Sequence, residues 1–143
     1  MSGCAQTIKN NPQNSYNFFH TQIVPLDTSR KNKTFFQVTY LNNAYKNRYK
    51  DGEYFIIGFS SNKEDFYKNR YNFYNKNFSV KYNEKIIQPQ KIANLKEYGF
   101  IPNYNDWSLF YLYYIPKVSK GEFTLEFNYL DQDTETLSFS KSL

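Results

Sequence analysis

One cysteine, one histidine and one tryptophan occur in 143 residues, beside 5 glycines and 5 prolines. A lone cysteine closes no internal disulfide. Structural zinc sites take several Cys and His ligands, so Cys4 and His20 exclude a site of that kind. No glycine-rich phosphate loop and no G-x-S-x-G nucleophile motif is present. No stretch reaches the roughly 18 apolar residues of a transmembrane helix. The most apolar run, Trp107 to Pro116, has the length of a buried strand. Runs of five or six like charges are also missing. The alternating acids Asp131, Asp133 and Glu135 lack the glycine and closing glutamate of a calcium loop, and they read as a turn. No metal, no cofactor and no catalytic residue is expected.

What is abundant is aromatic. Tyr (15) and Phe (14) with the single Trp make 21% of the chain. One small core does not absorb that many rings, so many tyrosines should lie at the surface, where an apolar ring and a wet hydroxyl suit interfaces. Net charge is +5 and the pI about 9.1. That balance permits attraction to anionic lipid, glycan or nucleic acid. The lysines are scattered among 13 acids, however, and read first as a solvated surface. Asn, Lys, Tyr, Phe and Ile all come from AT-rich codons, so genome bias supplies part of the pattern.

A chain this long forms one domain and needs no covalent staple. Its periodicity is two rather than helical. Strands are expected within Phe19–Leu26, at Thr34–Leu41, at Glu53–Ser60 and at Trp107–Ile115. Phe78–Tyr82 and Lys85–Ile87 flank Asn83-Glu84 as a tight hairpin. Lys91–Tyr98 reads as a short helix or crossover, with Ile92 and Leu95 pointing inward. Glu122–Tyr129 sets Phe123, Leu125, Phe127 and Tyr129 on one face, and Leu137 and Phe139 close the series. Seven or eight short strands with polar turns predict an all-β, two-sheet antiparallel sandwich with Greek-key connections.

The first residues, "MSGCAQ", carry a different signal. Ser2-Gly3-Cys4 resembles the end of a bacterial lipobox, with Met1 where the usual Leu stands. In that motif the cysteine takes diacylglycerol, and two or more acyl chains make membrane binding stable. The basic and apolar parts of a signal peptide are not in these residues, so this reading expects a longer precursor cleaved before Cys4. Ala5 to Asn17, polar and broken by Pro12, reads as a tether. Residues 1–17 are thus a lipobox remnant with a flexible tether, and residues 18–143 the folded domain. In layout and in its Lys/Asn/Tyr-rich composition the chain resembles small epsilonproteobacterial lipoproteins with an immunoglobulin-like domain. The resemblance implies a non-catalytic envelope protein anchored through Cys4. Ala5 suggests the outer membrane, facing the periplasm or the cell surface. The expected partners are the membrane and a protein or glycan, with a role in adhesion or envelope assembly. The cysteine pair of antibody domains is absent.

"YKNRY" occurs twice, at Tyr45–Tyr49 and at Tyr67–Tyr71. Tyr beside Arg favours interfaces through stacking, cation–π attraction and charge-assisted hydrogen bonds. The connection from Asn62 to Asn77 mixes more aromatics with Lys and Arg, and loops of that kind carry binding on rigid scaffolds. The candidate binding surface is therefore Tyr45, Arg48, Tyr49, Phe66, Tyr67, Arg70 and Tyr71. Local duplication in a biased composition, or an irregular edge strand, explains the same residues without a ligand. Nucleic acid is not expected, because the alternation turns most rings inward and the anchor disfavours it. Two alternatives stay open: a soluble basic module that binds an anionic polymer, and a hydrolase with a dispersed site using His20 as base.

Overall fold

Alternation of apolar and polar residues becomes strand wherever this sequence carries it. The computed structural model describes residues 20–25, 35–43, 48–60, 78–99, 101–102, 108–119, 121–129 and 133–141. Among them run nine strands: β1 (Thr21–Pro25), β2 (Phe35–Tyr40), β3 (Gly52–Ser60), β4 (Phe78–Tyr82), β5 (Lys85–Ile87), β6 (Gln90–Lys91), β7 (Leu109–Pro116), β8 (Gly121–Tyr129) and β9 (Asp133–Lys141). A 3-10 turn spans Leu95–Tyr98, capped by the Asn94 side chain. The expected crossover at 91–98 thus divides into β6 and this turn. The strand beyond the expected seven or eight is β6, whose two residues are too short to show any period.

The strands form two antiparallel sheets, ordered β1-β2-β3-β7-β6 and β5-β4-β8-β9. The chain changes sheet three times, between β3 and β4, between β5 and β6, and between β7 and β8. At the same time β3 pairs with β7 and β4 pairs with β8. The order β2-β3-β7-β6 facing β5-β4-β8-β9 matches A-B-E-D facing C′-C-F-G of immunoglobulin-like sandwiches. β1 is an added strand beyond β2.

The space between the sheets is filled by rings. Phe36 is fully buried, with ring centroids of Phe78, Phe127 and Tyr129 at 5.2, 5.1 and 5.5 Å. Such pairs add about 0.5–1.5 kcal/mol each beyond area burial. Antibody domains join strands B and F with a disulfide. Between the corresponding β3 and β8 this chain sets Phe55 edge-to-face on Phe123, centroids 6.0 Å apart. Trp107, which heads the run expected as a buried strand, lies outside the described residues.

β3 is apolar on both faces for a physical reason: its sheet is covered on both sides. A second cluster of Leu41, Tyr49, Ile56 and Ile101 sits on the outer face, with Ile92, Leu95, Phe110 and Leu112 packed against it. Ile92 and Leu95 therefore point inward onto this outer layer. Gln37, buried on the same face, donates to the Pro102 carbonyl at 2.8 Å. Phe110 faces Gly58 across the β3–β7 pair, and its ring occupies the space a Cβ there would take.

One pole is locked by charge. Glu53 of β3 is fully buried. Its carboxylate accepts from the Tyr40 hydroxyl at 2.7 Å, the Val118 N–H at 2.8 Å and the Lys141 ammonium at 2.8 Å. Lys141 also donates to the Val118 carbonyl at 2.9 Å. The group ties β2, β3, the β7–β8 corner and β9 together. Every partner is satisfied, which a buried ion pair requires.

Candidate functional site

The two lateral edges of the sandwich are treated differently. On one side β1 and β9 are edge strands. There the side-chain amides of Gln22 and Asn43 donate to the carbonyls of Ser138 and Ser140 at 2.9 and 2.8 Å. Unpaired carbonyls of β9 are thus capped from the other sheet, one way of blunting an edge.

The other side is open. Asn83 and Glu84 have φ of 50° and 66°. Positive φ at both central residues makes a type I′ turn, so β4 and β5 form a tight two-residue hairpin. β5 is the edge of its sheet. Across from it, β6 pairs with β7 only at Leu112 and Tyr111. The β7 segment Tyr113–Pro116 therefore has β3 on one side and no described strand on the other. Between these margins lies a groove of about 620 Å³. The hairpin contributes Tyr82, Lys85, Ile86 and Ile87, and the other sheet contributes Tyr114, Pro116 and Lys117. Ile86 and Tyr114 are 59% and 47% exposed; among the described residues the only other large hydrophobic left that open is Ile23 of β1. No Asp or Glu lines the groove, whereas Lys85 and Lys117 do.

Tyr114 is the end of an aromatic row. It stacks on Tyr54 with centroids 5.6 Å apart, and Tyr54 meets Tyr49 at 4.6 Å. Arg48 lies over the rings of Tyr49 and Tyr98, at 5.4 and 5.0 Å. It also donates to the Glu97 carbonyl at 2.9 Å, and its guanidinium is 3.6 Å from the Glu97 carboxylate. Burial raises the Tyr54 hydroxyl above the ordinary tyrosine value, and the hydrogen bond it donates to Asp51 and that carboxylate's charge add to the shift.

No family model, curated protein or solved structure matches this chain. Of the residues expected to bind, the structure brings together Arg48 and Tyr49. Tyr49 is buried against the outer layer and Arg48 clamps the 3-10 turn, so both have packing duties. Tyr45, Phe66, Tyr67, Arg70 and Tyr71 lie outside the described residues, as do Cys4, the tether and Asp131. His20 is exposed at the head of β1 and is not part of the groove lining. Among the described residues, no three His, Cys, Asp or Glu side chains gather in a way that would hold a metal ion.

Sequence reasoning missed the groove because its walls come from segments about thirty positions apart. Asn42 was missed as well. Its amide donates to the Tyr49 and Gly52 carbonyls and its oxygen accepts from the Tyr54 N–H, which fixes the connection carrying Arg48. An asparagine just past a strand gives little hint of that.

Proposed function

We propose that this domain is a non-catalytic binding module of a bacterial envelope lipoprotein, which takes a partner in the groove between β5 and β7. The observation that carries the reading is the asymmetry of the two edges. One is capped by side-chain amides, while the other is left open beside exposed Ile86 and Tyr114. Apolar surface with a few polar groups around a concave site is the usual composition of a binding site. Anchoring rests on Ser2-Gly3-Cys4: lipid on Cys4 would hold the module at the outer membrane, and residues 5–17 would set its reach.

Crosslinking in cells tests the groove. A photoreactive residue at Ile86 should capture one discrete partner, while the same group at Thr136, exposed on β9 at the far edge of the same sheet, should not. Equal labelling at both positions would contradict the reading. Palmitate labelling of the full precursor tests the anchor, with label expected on the wild type and lost in Cys4→Ala. A wild type without label would remove the envelope assignment and leave the groove untouched.

A further inference from the structure

We infer that the occupant of the groove is an extended acidic polypeptide segment that adds itself as a strand to the free edge of β5. This rests on the groove being the binding site and names what fills it. The geometry begins with the hairpin. In a two-residue turn the flanking pair, here Tyr82 and Lys85, exchanges both backbone hydrogen bonds. The next residue, Ile86, then aims its N–H and C=O away from β4. Among the described residues nothing hydrogen-bonds to them. The residue with an outward-facing backbone is also the most exposed large hydrophobic residue described.

Charge selects the partner. Lys85 and Lys117 line the groove without any carboxylate, and Gln88 and Gln90 add only neutral amides. Lysine on a short edge strand is a common device against stray pairing. It repels basic edges and favours acidic ones, so the device also acts as a filter. A second copy of this chain would bring the same lysines to the same edge, which disfavours self-pairing. Stacking on Tyr54 takes one face of Tyr114 and leaves a sugar at most the other. An extended peptide uses what is present: backbone groups at Ile86 for pairing and alternate side chains for the lysines and the apolar margin.

The test is a titration of the domain, followed by backbone amide NMR, with a short peptide of alternating valine and glutamate. The acidic peptide should shift the Ile86 and Tyr114 amides and weaken with salt. The same peptide N-methylated at alternate residues along its pairing edge should not bind, nor should the valine–lysine peptide. Lys85→Glu with Lys117→Glu should lower affinity about tenfold. Ile86→Pro removes the outward N–H and should abolish binding; the lysine variants keep the test decisive should that proline unfold the hairpin. Equal binding of the methylated peptide, or no shift at Ile86, overturns strand addition. If an oligogalacturonate, or a second copy seen by sedimentation, takes the groove instead, the binding site stands and the peptide inference falls. If none of these probes perturbs the groove, both fall.

Discussion

Lys141, near the end of β9, reaches across the sandwich to Glu53 at the start of β3, with 2.8 Å between ammonium and carboxylate. The glutamate is fully covered and the lysine nearly so. Removing one partner of such a pair strands the other, at about 3–5 kcal/mol. Lys141→Met should therefore lower stability in urea by about that much. Glu53→Met with Lys141→Met should lose far less than the sum of the single losses, because no charge is then stranded. Strictly additive losses would show that the two residues act independently.

Gly58 has no room for a side chain. A Cβ there would overlap the Phe110 ring. Gly58→Ala should cost about 1–3 kcal/mol through overpacking. Added to Phe110→Ala, which vacates the space, it should cost little more. Thermal melts of the two single variants and the double variant decide the matter. An equal penalty in both backgrounds would contradict the contact.

Arg48 holds the 3-10 turn to the outer layer by ring and carbonyl together. Arg48→Lys keeps the charge but loses the planar group, at about 0.5–1 kcal/mol. The amides of Glu97 and Gly99, bonded within the turn to Asn94 and Lys96, should then exchange faster. Unchanged exchange would mean that apolar packing alone holds the turn.

Alkaline stability should depend on Tyr54. Its folded-state pKa is raised, chiefly by burial and then by Asp51. The neutral form is favoured in the folded protein, so the contribution is whole below the unfolded value and is lost as pH rises through the folded one. Denaturation midpoints should begin to fall above about pH 10. Tyr54→Phe should remove part of that fall. Identical slopes for the two proteins would exclude this residue as a source.

Much of the fold was legible in the chain because the sandwich imposes different patterns on its two layers. β8 alternates because one of its faces meets solvent: Phe123, Leu125 and Phe127 are buried, while Glu122 and Thr124 are exposed. β3 runs apolar because the connection at 92–102 covers its second face. The hairpin was visible in Asn83-Glu84 and its flanks. β6 was not, since two residues carry no period. The role of Glu53 was hidden too. At a strand start it looks like any surface acid, and Lys141 is 88 positions away. The site was the least legible part. Composition drew attention to Arg48 and Tyr49, of which Tyr49 is buried and the exposed Arg48 clamps the 3-10 turn, whereas the groove owes its character to an edge left unpaired. Pairing is a property of the assembled sheet and leaves no local mark at Ile86.

Residue-resolved hydrogen exchange reads that free edge most directly. In the free protein the Ile86 N–H should exchange nearly as fast as in an unstructured peptide, while the N–H of Lys85, paired with Tyr82, is protected. With the valine–glutamate peptide bound, Ile86 should become protected in turn. An Ile86 amide already slow in the free protein, or protection appearing only along β1 and β9, would contradict the central claim.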